Sequence, residues 1–279
     1  MPVKIIITAG ESGRKLGDIL RARGCSRRLL TRLKRTEEGL TCNGEAVRTI
    51  DIVREGDLIL LRENDLKTLV PNPELEAAVL FENSEVVVFD KPAGMPVHPS
   101  VRHREDSLGN LFAARFEGTT FRPVNRLDRD TSGCTAAAKT QLAAASLQKS
   151  LGKVYYAVCC GYPGESGVIT APIAREADTI IRRCVREDGR FAQTSFEAVS
   201  RHGDYTLCRV VLMTGRTHQI RVHFSHIGCP LAGDSLYGGD CRDITRQALH
   251  CGELTLFTEG REQKVISPLP PDIAALMHP

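Results

Sequence analysis

The sequence has no tryptophan, few aromatic residues and no long hydrophobic run. Aromatic residues make up 5% of the 279 positions, and the formal net charge is only +3. No apolar stretch approaches the roughly 20 residues that a transmembrane helix needs. The ten cysteines form no CxxC pair and stand singly or as the adjacent Cys159 and Cys160. These absences argue against a membrane-spanning protein, a zinc ribbon and a thioredoxin-like enzyme, and they favour free thiols in a reducing cytoplasm.

The net charge is too small to predict a nucleic-acid partner, but the charge is unevenly distributed. Positions 21–35 contain seven basic residues and no acidic one. Such a block of like charge is typical either of a solvated face or of an interaction surface, and the run alone does not choose between them. The basic residues are Arg21, Arg23, Arg27, Arg28, Arg32, Lys34 and Arg35.

The first 65 residues predict a compact α/β module. Apolar residues recur at helical spacing in RKLGDILRARG, which ends at Gly24, a suitable helix C-cap. Ser26 is predicted to cap a second helix whose leucines face inward and whose basic residues face outward. The alternating segment that follows, between the turn signals at 43–44 and 55–57, predicts short strands. Two helices with a basic outer face on a small sheet form a surface suited to a phosphate backbone.

The rest of the chain predicts a second, larger domain. Residues 66–76 contain two prolines and few core residues, so they are the expected linker between domains 1–65 and 77–279. Beyond it, extended runs predominate, interrupted by the helical segments SLGNLFAARF, TQLAAASLQKSL and THQIRVHFSHIG. Because there is no regular βαβ rhythm, the sequence predicts an α+β domain around a mixed or mostly antiparallel sheet.

Residues 124–140, VNRLDRDTSGCTAAAKT, place four charges before a run of small residues that reads as a buried strand. The charges belong to Arg126, Asp128, Arg129 and Asp130. A carboxylate at the edge of a core and beside guanidinium groups stays ionised, which suits a nucleophile or a general base. From local sequence alone, an exposed, ion-paired turn is the favoured interpretation of the same residues.

A second polar segment lies within residues 213–239. Its His223 and His226 have the i, i+3 spacing of a possible zinc pair, but no HExxH pattern or nearby carboxylate completes a ligand set, so structural histidines are favoured. Eleven consecutive positions of this segment hold Arg216, His218, Gln219, Arg221, His223 and His226.

Two other segments contain polar or aromatic residues that could belong to a site. FDKPAGMPVHPS is a rigid, proline-rich loop with Lys91 and His98 as its polar residues. LGKVYYAVCCG has adjacent tyrosines, Tyr155 and Tyr156, of which strand alternation sends one inward and one outward. Packing explains either segment by itself.

Together, these four segments resemble one family, the RluA-type pseudouridine synthases. FDKPAGMPVHPS is similar to the family's first motif, and NRLDRDTSGCTAAAK to its second, whose usual form is HRLDxxTSGLLLxAK. KVYYAVCCG is similar to the family's KxYxA strand, and TGRTHQIRVHFSHIGCPLAGDSLYG to its third motif. The four occur in the family's order over about residues 75–270. The N-terminal module resembles the S-four-type (αL) RNA-binding domain that often precedes this catalytic domain.

The resemblance implies a role for several residues. Asp128 corresponds to the catalytic aspartate, and Arg221 to an arginine that pairs with it and keeps it ionised. Tyr155 matches the tyrosine that stacks on the flipped uracil, and Arg126 the arginine that displaces and replaces the target base. The implied reaction breaks the glycosidic bond of uridine, turns the base and rejoins it through C5, with base flipping and with neither a cofactor nor a metal. Asp128 acts on the sugar or the base, or removes a sugar proton, and each route needs the carboxylate form.

Two departures from the family pattern are visible. Asn125 stands where the second motif usually has histidine, and activity is expected to survive because this is not the catalytic position. Small residues from Cys134 onward replace the usual leucines, so this strand is expected to pack less bulk.

The implied partner is RNA. Large-subunit ribosomal RNA is the favoured target because family members with the N-terminal module commonly act on it, and transfer RNA is the alternative. Two other classes stay open: a catalytically silent RNA-binding or ribosome-assembly protein, and a metal-dependent hydrolase using Asp128, Asp130 and the histidines at 218–226. The sequence predicts no oligomeric state. The residues expected to contact phosphates are Arg27, Arg28, Arg32, Lys34 and Arg35.

Overall fold

The computed structural model describes residues 3–62, 69–177, 179 and 181–278, except for the side chains of Arg28 and Lys149. The predicted boundary between the two domains therefore stays a prediction, because residues 63–68, which include the first part of the expected linker, lie outside the described residues.

The N-terminal unit is a four-stranded antiparallel sheet covered by two short helices. The strand order is β1-β4-β2-β3. Its elements are β1 (Val3–Ile6), a 3-10 turn (Ala9–Glu11), α1 (Leu16–Ala22), α2 (Arg27–Leu33), β2 (Leu40–Cys42), β3 (Glu45–Ala46) and β4 (Leu58–Leu61).

Local sequence signals set most of this unit. The Oγ of Ser26 accepts a hydrogen bond from the Leu29 N–H at 3.1 Å, as expected of an N-cap. Gly24 has a φ of +96° just beyond α1, where a left-handed residue ends a helix. Asn43 and Gly44 also have positive φ angles, 54° and 94°, which is the geometry of a two-residue hairpin turn.

The expectation of strands throughout the alternating segment is wrong for residues 47–54, whereas the turn expected at 55–57 is present. The strand stops at Ala46, and the following residues cap helix α1 instead. The N–H of Leu16 donates to Asp51 O at 2.9 Å, and the N–H of Gly17 donates to Thr49 O at 2.8 Å. Because the first N–H groups of a helix have no partner within it, these carbonyls satisfy donors that would otherwise stay unpaired.

The larger part of the chain forms one ten-stranded mixed sheet, and the α+β prediction is confirmed. The strand order is β10-β13-β14-β9-β15-β8-β6-β5, with β7 on β8 and β16 on β15, while β11 and β12 form a separate two-stranded sheet. Among the described pairs only β15 and β8 run parallel. The elements are β5 (Ala78–Glu82), β6 (Val86–Lys91), α3 (Leu108–Arg115), β7 (Arg122–Pro123), β8 (Ser132–Ala138), α4 (Gln141–Ser150), β9 (Gly152–Cys160), β10 (Ser166–Thr170), β11 (Ile173–Arg175), β12 (Arg183–Val185), β13 (Gln193–His202), β14 (Tyr205–Leu212), α5 (Gln219–His226), β15 (Leu249–Thr258), β16 (Arg261–Ile266), α6 (Pro271–Ala274) and a 3-10 turn (Ala275–Met277).

The run of small residues is, as predicted, a buried strand. All seven residues of β8 are buried, between β6 on one side and β15 on the other. At its start, Gly133 has a φ of +106°, and a Cβ there would lie 2.3 Å from Cys251 O. Only glycine permits so close an approach, and β8 therefore meets β15 directly after the charged loop.

The N-terminal unit and the large sheet have separate hydrophobic cores, and helix α4 touches both. Leu142 of α4 packs against the N-terminal core, while Ala143 and Leu147 belong to the core of the large sheet. No helix within residues 3–62, 69–177 and 181–278 is long and apolar enough to cross a membrane.

Candidate active site

The charged loop connects β7 to β8, and Asn125 anchors it to β8. The Asn125 side chain is buried, its Nδ2 donates to Cys134 O at 3.0 Å, and its Oδ1 accepts from the Ala136 N–H at 2.8 Å. The N–H of Thr131 donates to Asp128 O at 3.1 Å, which closes a turn around Asp128. The residue that departs from the family pattern thus holds the loop in place.

Asp128 pairs with an arginine from a distant helix. Oδ2 of Asp128 accepts a hydrogen bond from Nη1 of Arg221 in α5 at 3.3 Å. The remaining guanidinium nitrogens bind Asp234: Nε donates to Oδ2 at 2.6 Å and Nη2 to Oδ1 at 2.7 Å. The side chain of Arg221 is 8% exposed and that of Asp234 is fully buried, whereas Asp128 is 29% exposed. Asp234 therefore fixes the guanidinium group that faces the accessible carboxylate.

His218 and Tyr237 complete the surroundings of Asp128. Nε2 of His218 lies 3.8 Å from Asp128 Oδ2, and its Nδ1 shares a 2.8 Å hydrogen bond with the Tyr237 hydroxyl. The ring of Tyr237 lies 4.9 Å from Cζ of Arg221, a cation–π distance. Burial lowers the pKa of His218, against the attraction of Asp128, and burial also raises the pKa of Tyr237. The neutral imidazole and the neutral phenol are therefore the favoured forms.

A cleft of about 550 Å³ opens beside these groups, within the roughly 300–1,000 Å³ typical of small-ligand sites. Tyr155 of β9 lines the cleft and is 6% exposed, and burial raises the pKa of its hydroxyl. Four cations lie along its walls: Arg126, Arg129, Lys153 and Arg216. The cleft thus joins an aromatic surface, a carboxylate and positive charge, a combination suited to an anionic substrate with a planar ring.

The arginines next to Asp128 in sequence do not pair with it. Arg129 binds the neighbouring Asp130 through two hydrogen bonds of 3.0 Å in an exposed pair. Arg126 is exposed, and no hydrogen bond or ion pair joins it to any described residue. The local interpretation of the loop as a solvated ion pair therefore holds for Arg129 and Asp130, while Asp128 takes its partner from α5.

Two cations bind the backbone of the charged loop, and the sequence analysis assigned this role to neither of them. Lys91 is fully buried, and its Nζ donates to three carbonyls, those of Pro92, Met95 and Arg129, at 2.8, 2.7 and 2.9 Å. Nη1 of Arg246 donates to Asp130 O at 3.1 Å. Lysine in the proline-rich loop was a visible signal, but nothing in the local sequence around Arg246 indicates its contact.

The zinc interpretation of the α5 histidines has no ligand set. His223 is buried, with Nδ1 at 2.9 Å from Thr194 Oγ1 and Nε2 at 2.9 Å from Ala171 O, while His226 is exposed. In the described part of the chain, no three His, Cys, Asp or Glu side chains are arranged to hold a metal ion. His223 is therefore a structural histidine.

The basic run on the N-terminal unit divides into two groups. Arg21 pairs with Asp18, and Arg23 pairs with Glu11. By contrast, three of the predicted phosphate contacts are exposed and have no ion-pair partner within the described residues. These are Arg27, Lys34 and Arg35.

The other two predicted phosphate contacts, Arg28 and Arg32, differ from these three. Arg32 is half-buried, and the side chain of Arg28 lies outside the described part of the structure. Helix α4 packs against the N-terminal core through Leu142 and lines the cleft through Gln148, so it connects the basic unit to the cleft wall.

Comparison with known proteins shows similarity to one protein family. Residues 85–226 match the family model for RNA pseudouridylate synthase. A Bacillus subtilis protein named uncharacterized RNA pseudouridine synthase YjbO is 38% identical over 269 residues, which are 91% of this chain and 95% of that protein. The Pseudomonas aeruginosa ribosomal large subunit pseudouridine synthase D is 35% identical over 264 residues, 85% of this chain and 82% of that protein.

Solved structures show the same fold. The human RNA pseudouridylate synthase domain containing 1 superposes with a TM-score of 0.62 at 24% identity, over 75% of this chain and 89% of that chain. The human RNA pseudouridylate synthase domain containing 4 gives a TM-score of 0.58 at 23% identity, over 72% of this chain and 92% of that chain.

Proposed function

The chain belongs to the RNA pseudouridylate synthase family, and from this premise we propose that it isomerises uridines of large-subunit ribosomal RNA, with Asp128 as its catalytic residue. Pseudouridine synthase activity on RNA follows from the family. The target RNA and the roles of individual residues are the proposal.

The observation that supports Asp128 most strongly is the asymmetry of its carboxylate. Oδ2 is bound by Arg221, whereas Oδ1 has no hydrogen-bond partner among the described residues. The side chain is partly exposed and lines the cleft. A guanidinium held by a second carboxylate binds Oδ2 of Asp128, and the free oxygen Oδ1 is available to the sugar or the base.

Tyr155 and Arg126 are proposed to handle the flipped base. A base inside a stacked strand is inaccessible, so the enzyme has to extrude it and receive it against an aromatic surface. Tyr155 provides that surface within the cleft. Arg126, exposed at the rim and without a partner among the described side chains, is free to enter the space that the base leaves.

The target class is argued from the relatives and from the N-terminal unit. Several similar proteins, from Pseudomonas, Xanthomonas and Nitrosomonas, carry the name ribosomal large subunit pseudouridine synthase D. The cations on α2 and directly after it supply phosphate contacts that do not depend on base sequence. We propose that Arg27, Arg28, Arg32, Lys34 and Arg35 dock this unit on structured RNA near the uridine that the cleft receives.

Mapping pseudouridines in cells with and without the gene tests the target. Ribosomal and transfer RNA are separated, and every uridine-to-pseudouridine difference is assigned. The proposal predicts that at least one pseudouridine disappears from large-subunit ribosomal RNA and returns when the gene is restored. Loss confined to transfer RNA contradicts the proposed target while leaving the synthase activity intact.

A further inference from the structure

His218 has a backbone conformation that side chains rarely adopt. Its φ is +58° and its ψ is 19°, in the left-handed region, directly before helix α5. For a residue with a bulky side chain this conformation is strained, and strained residues concentrate at functional sites. His218 also lines the cleft and is 11% exposed.

The segment around His218 is held rigidly. Oε1 of the adjacent Gln219 accepts from the Arg216 N–H at 2.9 Å and from the Thr214 hydroxyl at 2.8 Å. Its Nε2 donates to Gln193 O at 2.9 Å. A buried amide with these partners holds the backbone of the segment in place, and the Tyr237 hydroxyl holds the His218 ring at Nδ1.

Tyr237 determines which nitrogen of His218 carries the proton. The Tyr237 oxygen already accepts a hydrogen bond from the Arg183 N–H at 3.0 Å. Since the Arg183 N–H is a donor, Nδ1 of His218, 2.8 Å away, is the acceptor that the described residues offer to the hydroxyl hydrogen, and with this arrangement the neutral imidazole carries its proton on Nε2. That N–H faces Oδ2 of Asp128.

We propose that His218 is a positioning residue for Asp128, and that its Nε2–H and Arg221 together hold Oδ2 so that Oδ1 is the reacting oxygen. The separation of 3.8 Å is longer than a hydrogen bond, but contacts of this kind often shorten when substrate closes the site. The inference rests on the synthase activity and is independent of which RNA is the target.

The proposal also sets a pH dependence. A protonated His218 needs a hydrogen on Nδ1, which displaces the Tyr237 hydroxyl hydrogen from its acceptor. The resulting cation binds Asp128 more tightly and weakens it as a base or nucleophile, so kcat falls as pH drops through the pKa of His218, which burial places below its ordinary value. The charged and titratable groups that face His218 are Asp128, Arg183, Arg221, Asp234 and Tyr237.

Two replacements of His218 separate positioning from structure. In His218→Gln the side-chain amide reaches the place of Nε2, whereas in His218→Asn it reaches only that of Nδ1. Asparagine is well tolerated at positive φ, so the second variant keeps the fold and the Tyr237 contact. Loss of one hydrogen bond to a charged group corresponds to about a 10- to 100-fold loss of rate. We therefore expect kcat to fall by that factor in His218→Asn with little change in KM, and to recover substantially in His218→Gln.

The assay measures pseudouridine formed in total RNA from cells lacking the gene, so it does not presuppose the target. His226→Gln, on the exposed face of the same helix, is the matched control and retains wild-type kcat. Equal kcat in wild type and His218→Asn, or an equal loss in both His218 variants, overturns the proposal. Tyr237→Phe provides an independent test: the acid limb of kcat moves to higher pH, and an unmoved limb overturns the assignment of the tautomer.

Discussion

Nη1 of Arg221 lies 3.3 Å from Oδ2 of Asp128, although ninety-three positions separate the two residues along the chain. This contact brings a loop before β8 and a helix after β14 to one point. It exists because Asp234, fully buried, holds the same guanidinium group from the other side.

Removing Asp234 should therefore damage both stability and catalysis. Asp234→Ala leaves a buried guanidinium without its main partner, which costs about 3–5 kcal/mol of unfolding free energy, and it frees Arg221 to leave Asp128. Urea unfolding and kcat measure the two effects. Asp188→Ala breaks an exposed pair with Arg186 and is the matched control, expected to unfold at nearly the same urea concentration as wild type. If Asp234→Ala costs no more than the control, the buried pair does not hold the site.

Lys91 should make the stability of the protein depend on pH. Burial lowers its pKa from 10.5 to about 7. The unfolded chain then binds more protons than the folded chain between these values, so unfolding free energy rises with pH across the window, by at most about 1.4 kcal/mol per pH unit from this residue. In Lys91→Met this contribution is absent. The unfolding free energy of wild type minus that of the variant should therefore grow as pH rises.

Urea unfolding of both proteins at about pH 7.5 and about pH 9 measures this difference in unfolding free energy. Lys4→Met, at an exposed position of β1, is the control and should show no change in its difference from wild type between the two pH values. A constant difference for Lys91→Met means that the lysine titrates normally and that its three carbonyl acceptors keep the ammonium form.

The exposed cations on α2 and directly after it should contribute to RNA affinity but not to chemistry. Replacing Arg27, Lys34 and Arg35 with alanine removes three phosphate contacts, which weakens binding and lowers the slope of log K against log salt by about 2 to 3. Titrations of RNA binding at several salt concentrations check this, and kcat at saturating RNA should stay unchanged. Arg21→Ala is the control, since Arg21 is already paired with Asp18. An unchanged slope in the triple variant excludes this helix as the RNA contact.

Tyr155 should matter through its ring rather than its hydroxyl. Tyr155→Leu keeps apolar volume in the core but removes the stacking surface, which is worth about 1–3 kcal/mol per base and so predicts roughly a 10- to 100-fold loss in kcat/KM. Tyr155→Phe should lose little. Tyr156→Leu removes the neighbouring tyrosine, whose hydroxyl instead binds Glu253, and serves as the control. Equal losses for Tyr155→Leu and Tyr156→Leu would assign both residues to packing alone.

Much of the fold was predictable because its signals are local. The Ser26 cap, the Asn43-Gly44 turn and the small residues of β8 each depend on nearby residues, and each formed as expected. Residues 47–54 were predicted wrongly because an alternating pattern does not show that main-chain carbonyls of the segment bind another element. Their carbonyls satisfy the start of α1, a tertiary requirement that overrides the strand pattern.

The site was less accessible to local reasoning, since its defining contacts join distant segments. The loop around Asp128 has the composition of a solvated turn, and Arg129 and Asp130 behave as one. The pairing of Asp128 with Arg221 was predicted only from the resemblance to a family. Lys91 was visible as a polar residue of the proline-rich loop, but neither its partner nor that of Arg246 could be read from the sequence, because main-chain carbonyls accept from any suitably placed donor.

The most direct test of the account compares Asp128→Asn with Asp130→Asn, two nearly identical changes two residues apart. Pseudouridine formation is measured on RNA from cells lacking the gene, alongside unfolding and RNA affinity. The account predicts that Asp128→Asn folds and binds RNA but forms no pseudouridine, while Asp130→Asn retains activity. Wild-type activity in Asp128→Asn would contradict the central claim that this carboxylate carries the reaction.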